Sequence, residues 1–184
     1  MPLTLRPATP ADIPALAALI EDSARTLSRG FYTPAQTESA IRHVFGVDSR
    51  LVDDGTYLLA ERDGALAGCG GWSRFRTLYG GDQRPMGAGG VDRLDPTVDA
   101  ARIRAFFVAP SHARQGVGRA LLHACAQAAA RAGFVRLELM ATLPGVPLYA
   151  ALGFTAIAQV VDTLPDGTPL PFVHMGCAIG DLVR

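Results

Sequence analysis

The feature that most constrains the fold of this 184-residue chain is a glycine-rich segment at residues 114–120, with the sequence Arg-Gln-Gly-Val-Gly-Arg-Ala. Residues 102–108 before it are rich in aromatic and β-branched side chains, which favour a strand, and Ala109-Pro110 closes the run. Apolar side chains after it recur at helical spacing as far as Gly133. The pattern therefore predicts a strand, a tight turn and a helix. Such a turn leaves backbone N–H groups pointing outward at the positive end of the helix dipole, so we expect a phosphorylated ligand.

Two ligand classes that use such a turn fit this sequence poorly. A nucleoside-triphosphate loop has a lysine and a Ser or Thr directly after its last glycine, whereas Arg119 and Ala120 follow Gly118 and the chain contains no lysine. A dinucleotide site has a third small residue where this chain has Leu121, although Glu138 stands at the spacing of its acidic residue. The dinucleotide site and an ordinary structural turn stay as alternatives.

Three motifs point to a third ligand, coenzyme A. Residues 115–120 (Gln-Gly-Val-Gly-Arg-Ala) resemble the Gln/Arg-x-x-Gly-x-Gly/Ala signature of the GNAT superfamily of acyl-CoA-dependent N-acetyltransferases. The Val-Ala-Pro at 108–110 and the Leu-Tyr-Ala-Ala-Leu-Gly-Phe at 148–154 are similar to the same family. The resemblance implies an α/β fold in which a mixed, mostly antiparallel sheet of about seven strands is flanked by about four helices and splayed at the CoA site. We expect one N-acetyltransferase domain over residues 1–184, with acetyl-CoA as co-substrate.

The rest of the sequence agrees with this order of elements. Thr9-Pro10 and Thr33-Pro34 are typical helix starts, and Asp63-Gly64 is a hairpin turn signal. The predicted order is β-α-α-β-β-β-α-β-α-β-β. Residues 74–101 lack periodicity, which predicts a long segment that is either a functional loop or disordered.

The resemblance implies a set of cofactor contacts. The pantetheine arm would lie against the strand before the turn, with the Val108 N–H near the thioester oxygen, while one of Phe106 and Phe107 packs in the core. The turn amides would hold the pyrophosphate, and Thr142 stands where many family members carry an asparagine. The expected cofactor-binding residues are Phe106, Phe107, Val108, Arg114, Gln115, Gly116, Val117, Gly118, Arg119, Ala120 and Thr142.

Tyr149, within the third motif, is the candidate general acid. A thiol has a pKa of about 8.5 and a tyrosine one of about 10, so a phenol can donate a proton to a departing thiolate. The alternative is a half-buried structural tyrosine. Glu138 is the candidate base, acting through water, although an ion pair with an arginine across the sheet fits equally well. Four loop carboxylates also stay open as groups that serve the acceptor amine: Asp82, Asp92, Asp95 and Asp99.

Composition and residue spacing limit the ligands, partners and cellular location that we expect. The formal net charge is zero and no arginine cluster alternates with aromatics, so nucleic acid is not an expected partner. The start of the chain lacks the features of a signal peptide and no apolar run is long enough to span a membrane, which predicts a cytoplasmic protein. The histidines and the three cysteines lack metal-ligand spacing, so no metal is expected; Cys125 is expected in the core, and Cys69 on a closely packed strand.

The expected reaction is transfer of an acetyl group from acetyl-CoA to a primary amine of a small molecule or peptide, by direct attack in a ternary complex. The acceptor site would lie opposite the CoA arm, walled by the first two helices, residues 74–101 and the final strands. A non-catalytic acyl-CoA-binding regulatory module and a transferase for longer acyl groups are the alternatives. A homodimer that pairs the last strands is possible but is not required by any residue.

Overall fold

The computed structural model describes residues 2–84 and 92–182, and these residues form one sheet with helices on both faces. The strands are β1 (Thr4–Pro7), β2 (Tyr57–Arg62), β3 (Ala65–Ser73), β4 (Ala101–Val108), β5 (Arg136–Thr142), β6 (Thr155–Thr163) and β7 (Pro169–Ala178). The α-helices are α1 (Ile13–Leu27), α2 (Pro34–His43), α3 (Ser49–Asp53), α4 (Val117–Arg131) and α5 (Val146–Ala151). The predicted order is confirmed, with the short helix α3 as an addition.

In the part of the chain that the structure describes, the sheet has seven strands in the order β1-β2-β3-β4-β5-β7-β6. The pairing of β4 with β5 is parallel and the other pairings are antiparallel, which confirms the expected mixed and mostly antiparallel sheet. Helices α1, α2 and α3 bury apolar side chains on one face, and α4 and α5 cover the other. Both faces of the central strands are therefore buried, while the edge strand β6 stays largely exposed.

The parallel strands β4 and β5 separate soon after they meet. Their pairing is limited to Ala101 with Leu137 and Arg102 with Glu138, so the expected splay is confirmed. A register shift in the β3–β4 ladder lies just beyond, where Ala105 has a φ of +54°. Such a bulge bends the strand, and it turns the second half of β4 away from β5. The sheet consequently has a gap between the carboxyl ends of two central strands.

Local sequence signals explain several boundaries. Asp63 and Gly64 both have positive φ, as the tight turn between β2 and β3 requires. The Thr33 hydroxyl accepts a hydrogen bond from the Gln36 N–H at 3.2 Å, and the Thr33 N–H donates to the Gln36 side chain at 3.0 Å. This reciprocal pair caps α2, as the sequence predicted.

The predicted long loop is partly organised. The Leu94 N–H donates to the Arg74 carbonyl at 2.8 Å, and the Arg76 N–H donates to the Asp92 carbonyl at 3.0 Å, so the two ends of the loop run side by side. The glycine-rich part of the loop at residues 87–90 lies outside the described residues. Within residues 2–84 and 92–182, no helix combines the length and the apolar character that crossing a membrane requires.

Candidate active site

The start of helix α4 presents unpaired backbone amides. Gly116 precedes the helix with a φ of +84°, a left-handed conformation that favours glycine. The first helical bond runs from the Ala120 N–H to the Gly116 carbonyl at 3.0 Å. Among the described residues, no backbone carbonyl accepts from the N–H groups of Val117, Gly118 or Arg119. The turn therefore has the free donors that an anionic group needs.

Two side chains of the turn are exposed arginines, and a third, a glutamine, fixes the loop by hydrogen bonds. Arg114 and Arg119 are exposed, and neither forms an ion pair within the part of the chain that the structure describes. The Gln115 side chain accepts from Arg62 Nη1 at 2.7 Å and donates to the Ser111 carbonyl at 2.9 Å. Gln115 thus fixes the loop with its side chain, while two guanidinium groups add positive charge at the helix start.

Gly118 brings this turn against β4 and α5. A β-carbon at Gly118 would lie 2.8 Å from Leu148 Cδ2 and 3.8 Å from Val108 Cγ2. The absence of a side chain at Gly118 therefore permits the close packing. Three predicted pieces, the turn, the end of β4 and the helix that carries Tyr149, come together here.

The end of β4 directs an amide into the gap. The Ala109 N–H donates to the Ala67 carbonyl of β3 at 2.9 Å. Successive amides of an extended chain point to opposite edges, so the Val108 N–H faces away from β3 and towards the separated β5. A carbonyl group lying in the gap would meet this donor.

Phe106 and Phe107 point to opposite faces of the sheet. The Phe107 ring packs edge-on against Phe45 with centroids 5.8 Å apart, within the core under α1 and α2. The Phe106 ring lies over Gly70, where a β-carbon would be 2.5 Å from the ring. Phe107 thus packs in the core under α1 and α2, and Phe106 packs against Gly70, which has no side chain.

A small cavity of about 70 Å³ lies in the gap between β4 and β5. Its lining includes Ile103, Phe106, Phe107, Leu139, Thr142 and Tyr149. Four of the residues proposed from the sequence therefore face one space. Gly118 of the amide-rich turn packs against Leu148, on the same helix as Tyr149.

Tyr149 is buried beside this cavity. Its side chain is 8% exposed, and its ring packs edge-on against Phe154 with centroids 5.6 Å apart. Burial raises the pKa of Tyr149 above the ordinary value of 10, so the phenol stays protonated at neutral pH. Its hydroxyl has no hydrogen-bond partner among the described residues, which leaves the proton available to a ligand.

Glu138 lies apart from Tyr149, at the closed end of the gap. Its Oε2 accepts from Arg102 across the β4–β5 pairing and lies 3.1 Å from His174 Nε2. It does not line the 70 Å³ cavity. The structure thus contains the cross-sheet ion pair that the sequence left open as the second interpretation.

The four loop aspartates accept different hydrogen bonds. Asp82 Oδ1 accepts from the backbone N–H and the hydroxyl of Ser49, both at 2.9 Å. Asp99 accepts from the Asp95 N–H at 2.8 Å, and Asp95 accepts from Thr97. The backbone carbonyl of Asp92 accepts from the Arg76 N–H. Of these four, Asp82 lines a cavity.

That second cavity, of about 300 Å³, lies between α3 and residues 77–84. It shares Tyr79, Gly80 and Arg104 with the smaller cavity, so the two are neighbours. The Arg104 guanidinium lies 2.8 Å from the Asp48 carboxylate and donates to the Gly80 carbonyl at 2.6 Å. Arg104 lines both cavities, so this ion pair lies where the two spaces meet.

Sequence reasoning missed Asp48 and the role of Arg104. Asp48 precedes a helix of only five residues, which carries no useful periodicity. Arg104 did offer a signal, because an arginine inside an apolar strand requires a buried partner. The partner itself is 56 positions away in the chain, so only the fold identifies it.

The cysteines are placed as expected. Cys125 is buried within the α4 core, and Cys69 is buried on β3 beneath Tyr57. Burial raises the pKa of the Cys69 thiol to about 12, which disfavours the thiolate. Neither residue is suited to be a nucleophile.

Comparisons with known proteins agree with this arrangement. The sequence model of the acetyltransferase (GNAT) family matches residues 17–154. A sequence search of curated proteins found no significant match. Among solved structures, a GCN5-related N-acetyltransferase from Rhodopseudomonas palustris superposes with a TM-score of 0.70 at 21% identity, covering 97% of this chain and 96% of that one.

Two further solved structures contain a cofactor. The PaiA N-acetyltransferase of Thermoplasma acidophilum, in complex with coenzyme A, gives a TM-score of 0.63 at 15% identity, covering 97% of this chain and 99% of that one. YncA of Salmonella typhimurium, with its cofactor acetyl-CoA, gives 0.62 at 19% identity, with coverages of 97% and 95%. At these identities the likeness shows a common fold.

Proposed function

Because this chain belongs to the GNAT family of acetyltransferases, we propose that it transfers an acetyl group from acetyl-CoA to a primary amine in a ternary complex. One observation carries the proposal. The gap between β4 and β5 opens beside the unpaired amides of α4, and Tyr149 lines that gap. The two cofactor-bound structures of the same fold support the choice of coenzyme A.

The turn and β4 suit the two ends of coenzyme A. The amides of residues 117–119, with the guanidinium groups of Arg114 and Arg119, would hold the pyrophosphate. The backbone of residues 106–108 and the hydroxyl of Thr142 would hold the pantetheine arm. The free edge of β4 beyond Arg102 supports this assignment, because an extended amide chain can pair with it as a strand would.

The chemistry follows from the positions of two donors. The amine nitrogen attacks the thioester carbon, and the Val108 N–H stabilises the negative charge that develops on the carbonyl oxygen. The C–S bond then breaks, and Tyr149 donates its proton to the departing thiolate. Its raised pKa keeps the phenol protonated until the thiolate forms, and it also makes the phenol a weaker acid.

Glu138 stays a candidate base that acts through water. Its carboxylate forms an ion pair with Arg102 and does not line the 70 Å³ cavity. His174 Nε2 lies 3.1 Å from the same carboxylate. A base closer to the acceptor would serve the reaction better.

Calorimetric titration with acetyl-CoA, CoA and NAD tests the proposed cofactor. We expect both CoA species to bind, and Gly118→Glu to abolish that binding because its carboxylate would add negative charge at the helix start and its side chain would displace Leu148. Gly118→Ala is the matched control, since it brings the same β-carbon close to Leu148 without the charge. Binding of NAD without CoA would reject this proposal in favour of a dinucleotide site. Binding of neither ligand would show that the turn has only a structural role.

A further inference from the structure

The space between α2 and the β6–β7 hairpin is closed by hydrogen bonds. The Ser39 hydroxyl donates to the Asp166 carboxylate at 2.6 Å, and Gln36 Nε2 donates to the Pro169 carbonyl at 2.8 Å. Both bonds join the helix directly to the hairpin. An extended polypeptide would have to break them to lie between these two elements.

Residues 79–84, which we name the strap, are fastened on both sides. Backbone amides of the strap donate to the carbonyls of Val44 and Val47, each at 2.9 Å. At the other side, Arg84 Nη1 lies 2.5 Å from the Asp162 carboxylate of β6. The Tyr79 ring also packs on Phe172 of β7, with centroids 5.1 Å apart. The strap therefore bridges the α2–α3 connection and the last two strands.

Within residues 2–84 and 92–182, the 300 Å³ cavity beside α3 adjoins the β4–β5 gap. Its volume is at the lower end of the range for small-molecule sites, about 300–1,000 Å³. The described residues of its lining include three arginines and two aspartates: Arg50, Arg84, Arg104, Asp48 and Asp82. Such a space suits a small polar molecule.

Asp48 is the carboxylate best placed to receive an amine there. Its side chain is 6% exposed, and no residue that the structure describes gives its Oδ2 a hydrogen bond of good geometry. The charged and titratable groups facing it are Arg104 on β4, Asp82 in the strap, Arg50 on α3 and Tyr57 on β2. Burial raises the pKa of Asp48, while Arg104 opposes the rise, so this carboxylate accepts a proton more readily than an exposed one.

We propose that the acceptor is a small-molecule primary amine, not a polypeptide, which occupies the cavity between α3 and the strap and whose ammonium group is received by Asp48. This inference rests on the proposed acetyl transfer. Asp48 takes one proton from the ammonium and becomes a neutral carboxylic acid, and the freed nitrogen attacks the thioester. The nitrogen loses a second proton when the amide forms. Through water, this second proton replaces the proton that Tyr149 gives to the thiolate. The proton on Asp48 then leaves to solvent, so the charges balance.

The first test compares acceptor sizes with the unmodified protein. Butylamine, benzylamine and tyramine are assayed against hexapeptides that carry a free N-terminus or a lysine, by CoA thiol release and product mass. We expect acetylation of at least one small amine with a kcat/KM well above that of every peptide. A peptide used as well as the best amine, or no acetylation of any small amine, would overturn the proposal.

The second test is Asp48→Asn, with Asp53→Asn at the exposed end of α3 as the matched control. General base catalysis contributes roughly 10²–10⁴-fold, so we expect Asp48→Asn to lower kcat/KM for the amine by about 10²-fold or more and to remove the acidic limb of its pH profile. The Asp53→Asn control should keep both the kcat/KM for the amine and the acidic limb of the pH profile. An unchanged kcat/KM in Asp48→Asn would contradict the role.

Titration with acetyl-CoA separates the two proposals. Retained acetyl-CoA binding by Asp48→Asn shows that the variant is folded, so its lost activity reports on the acceptor. Acetyl-CoA binding by a protein that acetylates only peptides would keep the proposed function and reject this inference. Absence of acetyl-CoA binding by the unmodified protein would reject the proposed function itself.

Discussion

The carboxylate of Asp48 lies 2.8 Å from the guanidinium of Arg104, and both side chains are 6% exposed. Removing one partner of a buried ion pair leaves an uncompensated charge, which typically costs about 3–5 kcal/mol. We therefore predict that Arg104→Ala lowers the free energy of unfolding by about that amount. Urea unfolding measures it. The double variant Asp48→Leu with Arg104→Met should recover most of the lost stability. Equal destabilisation of Arg104→Ala and of the double variant would argue that side-chain shape, not charge, stabilises this pair.

Tyr149→Phe tests the proposed acid. The phenylalanine ring keeps the edge-on packing against Phe154, so stability and acetyl-CoA affinity should change little. We predict a fall in kcat of roughly 10²-fold or more, because the departing thiolate loses its proton donor. Since burial raises the pKa of Tyr149, the unmodified enzyme should also keep its rate up to about pH 9 without an alkaline decline from this group. A protein that lacks turnover before the substitution would instead be a non-catalytic CoA-binding module.

Gly70→Ala tests the packing of Phe106 behind the gap. The new β-carbon would lie 2.5 Å from the Phe106 ring, so the ring has to move. Overpacking of this kind costs about 1–3 kcal/mol, and the displaced ring should also weaken acetyl-CoA binding. Thermal unfolding and calorimetric titration measure the two effects. Gly180→Ala is the control, because a β-carbon there meets no atom within 4 Å; equal effects at the two glycines would contradict the packing argument.

Asp166 gives a pH dependence with a defined sign. The hydrogen bonds from Ser39 and Thr168 lower the pKa of Asp166 from 3.8 to about 2. A lowered folded-state pKa means that the stabilisation is complete above about pH 4 and is lost as the pH falls towards 2. The melting temperature of the unmodified protein should therefore exceed that of Asp166→Asn near neutral pH, and the difference should shrink between pH 4 and 2. A difference that does not change with pH would show that the ionised carboxylate is not responsible.

The sequence predicted the elements whose signals are local. Asp63 and Gly64 fix a turn by their own φ preference, and Thr33 caps its helix through Gln36 three positions later. Gly116 marks the start of α4 in the same way. In each case the residues that decide the structure are near neighbours in the chain.

The parts that the sequence left open depend on distant contacts. Arg102 and Glu138 meet through the pairing of β4 with β5, and Asp48 meets Arg104 only after α3 packs near the sheet. The sequence offered an arginine across the sheet as a partner of Glu138 but did not identify which arginine. The strap has no periodicity at all, and its position follows from bonds to the α2–α3 connection and to β6. Tertiary packing, not local preference, determines these features.

Hydrogen–deuterium exchange with and without acetyl-CoA is the most direct test of the central claim, that the cofactor binds between the start of α4 and the gap beside β4. We predict slower amide exchange on binding at residues 103–108 and 114–120, where backbone donors lack partners along the β5 side of β4 and at the helix start. Peptides from β1 and α2 should exchange at unchanged rates. Acetyl-CoA binding without protection at either segment would contradict the proposed site.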